Sequence, residues 1–588
     1  MHPLRLSVAL AALLPLLAAP GALRAQRAPA VGAQGMVTSA HELASEAGRE
    51  ILQQGGNAVD AAVATGLALA VVYPFAGNLG GGGFMLIHLA DGRAVAIDYR
   101  ETAPAAATRD MYLGADGQVL SGPQSSTVGW RASGIPGTVA GLALAQQKYG
   151  SGKVSWAAVV EPARRLAADG HRVSPGTAAS LRHWAPLLAQ FPESKRIYLK
   201  AGAYLAAGEC WRQPELAATL ARLQAQGPRE FYEGETARRL AAAMAAHGGL
   251  VTRADLQGYR AVERTPLRGT YRGYEIVTMP PPSSGGIALL QMLGMLAPHD
   301  LAALGPASAE KYHLFTEVMR RAFRDRAEYL GDPDFVAVPT AGLLDPAYLT
   351  RRMQNYDPAR ATPSAGLAAG QPDGAAAPPA PRPAPRTEST ETTHFSIVDA
   401  AGNAVANTYT LNGAFGSGVT VPGTGILLNN EMDDFTAKLG VKNMFGLIQG
   451  PANSIAPGKR PLSSMTPTFV LQRGQLLLVT GSPGGPTIIN TVLEIITNVV
   501  DHRLPVMQAV EAPRVHHQWL PDVLTYEHNG LSPATADRLR AMGHTLRERD
   551  SYEGAYQGDG ETILVEPRTG RRLGAADPRK PDARALGY

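Results

Sequence analysis

Thr390-Glu391-Thr392-Thr393-His394-Phe395 is the stretch on which the reading of this chain turns. Just upstream, residues 361–386 hold seven Pro, nine Ala and only three charged residues. Such a segment lacks the large apolar side chains that offset ordering entropy, so a flexible linker is expected there. Just downstream, His394 to Val398 reads as a strand. Asp399-Ala400-Ala401-Gly402-Asn403 supplies turn chemistry, and Ala404 to Leu411 reads as the returning strand. A junction between a loose linker and a strand start is open to cleavage. A cut between Glu391 and Thr392 would leave Thr392 with a free α-amine beside its own hydroxyl. That amine has a pKa of about 8 and takes a proton at neutral pH. Nucleophile and base then sit in one residue, a known way to activate threonine. The hairpin brings Thr410 next to Thr392.

A Thr-Thr pair at a strand start is by itself ordinary β-propensity. The flanking segments add weight. Thr410-Leu411-Asn412 closes the hairpin. Asn429-Asn430-Glu431-Met432-Asp433-Asp434-Phe435 is a polar cluster after an apolar run. Lys459-Arg460-Pro461-Leu462-Ser463-Ser464-Met465 offers two adjacent hydroxyls. Leu476 to Thr480 reads as a strand that runs into Gly481-Ser482-Pro483-Gly484-Gly485-Pro486, then a helical pattern from Thr487 to Val500. Backbone N–H groups at that helix entry are unpaired and lie at the positive end of the dipole, so they suit an oxyanion.

The remainder of the chain narrows the options. At 588 residues, length alone suggests about four domains. Hydrophobic residues are 45%, enough for a large core, and net charge is only +4 with no dense basic run, which argues against a nucleic-acid partner. Cys210 is the single cysteine, so there is no intrachain disulfide and no paired-cysteine metal motif. Arg5, the apolar run Leu6 to Ala19, Pro20-Gly21 and Ala25 read as a secretory signal over residues 1–25, too short to span a bilayer. Ser39 with Glu42 reads as a capping box, and Asn57 as the cap of a core helix that reaches Pro74. Asp91-Gly92 marks a hairpin, the Gly80–Gly83 run offers an anion cradle without the usual following lysine, and helical patterns dominate from 137 to 350. There is no G-x-S-x-G elbow, HExxH or Walker loop, and the adjacent pair His516-His517 has poor metal geometry.

In this order and spacing, the motifs around Thr392, Thr410, Asn429 to Asp434, Pro461 to Met465 and Gly481 to Gly485 resemble the γ-glutamyltranspeptidase family of N-terminal-nucleophile hydrolases, from about residue 34 to Tyr588. The resemblance implies an α+β fold, a four-layer αββα sandwich. It is shared by two subunits cut from one precursor: a large one, 26–391, and a small catalytic one, 392–588. It implies that Thr392 cleaves its own chain after Glu391 and then attacks γ-glutamyl amides such as glutathione. Water or an amino-acid or peptide acceptor resolves the resulting γ-glutamyl-enzyme. Thr410 would hydrogen-bond the nucleophile, and Gly484 and Gly485 would form the oxyanion hole. Arg100, Ser463 and Ser464 would take the α-carboxylate. A guanidinium fork suits that group. Asn412, Glu431 and Asp434 would hold the α-ammonium, which needs acceptors and negative charge. Arg579 matches an arginine tied to maturation.

No metal or organic cofactor, nucleic acid or membrane span is implied, and a bacterial periplasmic or secreted location is. Phe445 falls where many bacterial members carry a polar-tipped aromatic on a lid. It cannot donate a hydrogen bond to Asn412, so looser closure is expected. The alternatives are a cephalosporin (glutaryl) acylase or poly-γ-glutamate depolymerase on the same scaffold, and an unprocessed, non-catalytic binding protein.

Overall fold

The computed structural model describes residues 27–200, 204–375, 392–549 and 556–588. The expected signal segment 1–25, the end of the expected linker and Glu391 lie outside them. Two seven-stranded antiparallel sheets stack face to face. One is ordered Arg584–Gly587, Met36–Ser39, Thr393–Val398, Ala404–Thr410, Gly82–His88, Ala94–Asp98 and Val262–Arg264. The other is ordered Ala30–Gly32, Arg572–Ala575, Thr562–Val565, Gln475–Thr480, Thr468–Gln472, Tyr274–Thr278 and Leu267–Tyr271.

Strand periodicity explains the layering. Side chains alternate between faces. From Thr393–Val398 and Ala404–Thr410, the residues Phe395, Ile397, Val405 and Tyr409 pack into a core with Glu42–Gln53, Ala58–Val72 and Trp156–Asp169. Val398, Ala404 and Ala406 point the other way, into a core shared with Val277, Phe469, Val479 and Ile563 of the second sheet. The outer face of that second sheet is covered by Gly285–Leu296, Ala309–Tyr329 and Thr487–Val500. The result is four layers, αββα, with both sheets buried on both faces. About 25 cal/mol per Å² of apolar surface removed from water holds the layers together.

Local signals explain most of the frame. Every residue of Ala58–Val72 is buried, which is why that helix shows no polar stripe. Asn57 caps it by accepting from Val59 and Asp60 N–H at 3.0 Å. The other expected cap is different. His41, not Ser39, precedes Glu42–Gln53, and its Nδ1 accepts the Leu43 N–H at 3.2 Å. Ser39 is held extended by pairing with Phe395, and its hydroxyl meets Ser45 at 2.7 Å. The run Gly80–Gly83 is not an anion cradle. A Cβ at Gly80 would stand 2.0 Å from Leu427 O and one at Gly81 2.0 Å from Thr410 O, so these glycines let backbones meet. The long helical region is interrupted by five strands, the short pair His171–Arg172 and Cys210–Trp211 and then Val262–Arg264, Leu267–Tyr271 and Tyr274–Thr278.

The segment expected as flexible, 361–386, is packed over its first part. Ser364, Leu367 and Ala369 are buried. The Ser364 N–H donates to Asp522 at 2.7 Å, Trp519 Nε1–H donates to Ser364 O at 3.0 Å, and the Gly370 N–H donates to Asp325 at 3.0 Å. Its backbone is satisfied by side chains from elsewhere, which composition does not report. No helix among the described residues is long and apolar enough to cross a membrane.

Candidate active site

Register places the nucleophile. Thr393 faces Tyr409 across the hairpin, so extending the pairing by one residue sets Thr392 opposite Thr410. Thr392 is buried, 4% exposed, and both threonines line a cleft of about 310 Å³. The same cleft is lined by Arg100, Asn412, Glu431, Asp434, Phe445, Ser463, Ser464 and Gly485. Of the residues expected to meet the substrate or its oxyanion, only Gly484 is not itself on the lining, and it adjoins Gly485; Arg579, matched to maturation, lies outside the cleft.

Each residue is held by identifiable bonds. The Asn412 N–H donates to Thr410 Oγ1 at 2.9 Å, and Asn412 sits at φ +78°, a left-handed conformation that asparagine tolerates better than most residues. Asn429 ties down the acidic turn. Its Oδ1 accepts from Glu431 N–H and Gly134 N–H, and its Nδ2 donates to Gly80 O and Gly134 O. At the glycine turn expected to form an oxyanion hole, Gly484 has φ +125° and Gly485 φ +55°. Among the described residues neither glycine N–H has an acceptor, so both are available to a developing negative charge.

One strand step below Thr392 runs a chain of bonds that fixes this floor. Ser396 Oγ donates to Glu561 O at 2.7 Å, so His394 Nε2–H donates to Ser396 at 3.1 Å. His394 Nδ1 then accepts from Thr408 Oγ1 at 2.7 Å. Burial lowers the His394 pKa to about 3, so the ring is neutral. A Cβ at Gly481 would lie 2.2 Å from this imidazole, so the histidine touches the start of the glycine turn.

The charged end of the cleft departs from the expected division of labour. Arg100 donates to both Glu431 and Asp434, the two acids expected to face a substrate ammonium, and also to Pro461 O at 3.2 Å. Opposite charges in a dry pocket neutralise one another. Burial pushes Glu431 and Asp434 upward while Arg100 opposes it. Glu101, 3.9 Å from Arg100, is raised to about 8 by burial and has no hydrogen-bond partner. Sequence reasoning passed over Glu101 and also Arg326, a buried residue of Ala309–Tyr329 whose Nη2 donates to Ser464 at 3.2 Å. The available signal was the charge density of that helix, where Lys311, Glu317, Arg320, Arg321, Arg324, Asp325 and Arg326 are all buried.

The segment around Phe445, expected as a lid, is tied to the cleft by its neighbours. The Phe445 ring is 4% exposed and approaches 2.8 Å from where a Gly485 Cβ would be. Asn412 Nδ2 donates to the Met444 sulfur at 3.5 Å, the Met444 N–H donates to Asp433 at 2.8 Å, and Asn443 donates to Asp434 at 3.1 Å. Met444, next to Phe445, thus supplies the contact to Asn412 that a phenyl ring cannot.

Behind the glycine turn, Asp559 and Glu561 are fully buried and hydrogen-bond to each other through their side chains, with no other donor on their carboxyl oxygens, and the Asp559 N–H donates to Ser482 at 3.0 Å. Burial, then repulsion from Asp577, raises Asp559 to about 7. A raised carboxyl pKa means that the folded chain keeps a proton the unfolded chain has lost. Stability therefore falls as pH rises from about 4 to about 7 and levels off above that. Melting temperature should drop across this window, and Asp559→Asn should remove part of the slope; parallel wild-type and variant profiles would contradict the assignment. Arg579 lies in the adjoining network, 2.7 Å from Glu527 and 3.1 Å from Asp577.

A family model for γ-glutamyltranspeptidase matches residues 44–587. The glutathione hydrolase proenzyme of Escherichia coli (strain K12) is 47% identical over 561 residues, covering 95% of this chain and 93% of its own. Among solved structures, cephalosporin acylase from Bacillus halodurans is similar with TM-score 0.82 at 26% identity, over 97% of this chain and 99% of that one. Helicobacter pylori γ-glutamyltranspeptidase gives TM-score 0.55 at 42% identity, over 56% of this chain and 93% of that one. Sequence matched almost end to end, on an αββα frame that gathers the motif residues into one cleft, makes this chain a member of the γ-glutamyltranspeptidase family with the N-terminal-nucleophile hydrolase fold.

Proposed function

We propose that the chain is a precursor that cuts itself before Thr392 and then acts as a γ-glutamyltransferase and glutathione hydrolase. In the first reaction Thr392 Oγ adds to the Glu391 carbonyl and the peptide nitrogen leaves as the α-amine, giving an ester. Water hydrolyses that ester and frees two chains that stay associated. In the second, the α-amine takes the hydroxyl proton, Oγ attacks the γ-carbonyl of glutathione or a related amide, and the leaving amine departs with a proton. Water or an amino-acid or peptide acceptor then takes the γ-glutamyl group. Gly484 and Gly485 N–H hold the oxyanion in both reactions, and Thr410 positions the nucleophile.

The observation that carries this reading is the charge pattern beside Thr392. A γ-glutamyl head is a zwitterion with no net charge. The cleft sets Arg100 and the hydroxyls of Ser463 and Ser464 beside Glu431, Asp434 and the amide of Asn412. Both ends of the head find complementary groups once it intercalates into the Arg100 ion pairs. A glutaryl substrate lacks the ammonium and would add negative charge next to three carboxyls, so the acylase alternative fits less well. The apolar run after Arg5 supports export to the periplasm or beyond.

The test pairs N-terminal sequencing of the fragments with turnover of a chromogenic γ-glutamyl anilide. The expected fragment begins at Thr392. A chain that stays whole on a denaturing gel and turns over nothing would overturn the reading in favour of a binding protein. The lid yields a further expectation. In Phe445→Tyr the added hydroxyl reaches toward Asn412 and competes with Met444, so the ratio of transfer to hydrolysis should change several-fold; unchanged rates of both would remove the lid from the mechanism.

A further inference from the structure

Arg326 is a buried cation without an anion. It is 2% exposed and lines the cleft that holds Thr392. Nε donates to Ser284 Oγ at 2.8 Å and Nη2 to Ser464 Oγ at 3.2 Å, while Nη1 is buried with no partner. Among the described residues no carboxylate lies within salt-bridge distance of it. Burial accordingly lowers its pKa to about 10, with Asp434 the one charge acting in the other direction. A desolvated guanidinium with an unmet N–H is costly unless something fills the vacancy. Arg100, by contrast, is already committed to Glu431, Asp434 and Pro461 O.

The position of Arg326 follows from how the hydroxyl loop is built. Ser284 accepts from Arg326, and its own hydroxyl donates to Ser463 O at 2.6 Å. The Ser284 N–H donates to the same carbonyl at 2.8 Å. The guanidinium therefore braces Ser463 and Ser464, and its Nη1 amino group, with two N–H donors, is left without a partner. A carboxylate seated on those two hydroxyls meets that amino group, and bidentate or paired contacts to carboxylate are what guanidinium groups do best.

We propose that Arg326 is a specificity-determining residue of the donor site, contacting the α-carboxylate of the γ-glutamyl group together with Ser464. The proposal rests on the γ-glutamyl reading above and adds a residue to it. Of the cleft's two guanidinium groups, Arg100 is held by Glu431 and Asp434, and Arg326 is the one left for an incoming carboxylate.

The test compares two anilides: γ-glutamyl, and 4-aminobutyryl, which keeps the ammonium and lacks the carboxylate. Wild type should strongly prefer the first; equal turnover of both would defeat the γ-glutamyl reading itself. In Arg326→Met, kcat/KM for the γ-glutamyl anilide should fall by about 100-fold, the scale of a charge-assisted bond of roughly 3 kcal/mol, with most of the change in KM. The 4-aminobutyryl rate should hold within about threefold, so the preference collapses. A parallel fall for both substrates would assign Arg326 a bracing role only and overturn the proposal, as would an unchanged preference. If Arg326→Met is not processed, Arg326→Lys carries the test. An ammonium cannot hold Ser284, Ser464 and a carboxylate in fork geometry, so the preference should drop at least about tenfold, and an intact preference would again overturn the proposal.

Discussion

A Thr392→Ala chain is expected to remain in one piece and to lose turnover of γ-glutamyl anilides by roughly 10⁴-fold or more, the scale on which removing a nucleophile acts in hydrolases. Both losses follow from one oxygen. Thr392 stands at the mouth of the hairpin, opposite Thr410, in a cleft that also contains Gly485. The substitution deletes a hydroxyl and a methyl and leaves the pairing of Thr393 with Tyr409 untouched, so the fold should persist, and melting should stay close to that of the unprocessed wild-type chain. Thr392→Ser, which keeps the hydroxyl, should process and turn over at reduced rates. Cleavage between Glu391 and Thr392 that persists in Thr392→Ala would refute the assigned nucleophile, because no other hydroxyl has been given that task. Cleavage abolished with turnover retained would separate the two reactions and contradict a shared nucleophile.

The four layers were implied only by the family resemblance, but the hairpin at their centre could be read from the residues because its signals are local. The strand from His394, the turn at Gly402-Asn403 and the returning strand each carry their own signal, and the structure pairs them over Thr393–Val398 and Ala404–Thr410. The glycine turn before Thr487–Val500 is equally self-announcing. What escaped depends on partners distant in the chain. Thirteen residues between Val262 and Thr278 become strands because sheet edges await them, at Ala96 to Asp98 and at Thr468–Gln472. Residues 361–375 pack because Asp522, Trp519 and Asp325 supply bonds from elsewhere. Arg326 was hidden for the same reason. A charged residue on a helix is ordinarily read as a solvated face, and only the tertiary arrangement shows that Ala309–Tyr329 is buried on nearly all sides. Motif resemblance gathered the cleft residues, but it did not reveal that Arg100 is paired with Glu431 and Asp434.

Gly484→Ala is expected to lower kcat by about 10²–10³-fold, equivalent to roughly 3–4 kcal/mol, as loss of an oxyanion donor does in other acyl-transfer enzymes. Backbone geometry gives the reason. Gly484 lies at φ +125°, a region closed to L side chains, and a Cβ there would stand 2.4 Å from Thr487 Oγ1. That hydroxyl donates to Gly484 O at 2.8 Å and so fixes the turn against the start of the Thr487–Val500 helix. Adding a methyl forces the turn to rotate and swings both N–H groups away from the oxyanion. KM should move little, because the groups expected to hold the donor head are built on other segments. Self-cleavage should slow as well, since its tetrahedral intermediate needs the same two donors. Gly485→Ala should be milder. Its φ of +55° costs an alanine about 1–2 kcal/mol, and the Phe445 ring, 2.8 Å from the new Cβ, can pivot. Its effect should therefore appear mainly in the balance of hydrolysis and transfer, through the lid. A Gly484→Ala enzyme with kcat within about threefold of wild type would place the oxyanion elsewhere and leave the two unpaired N–H groups without a catalytic role.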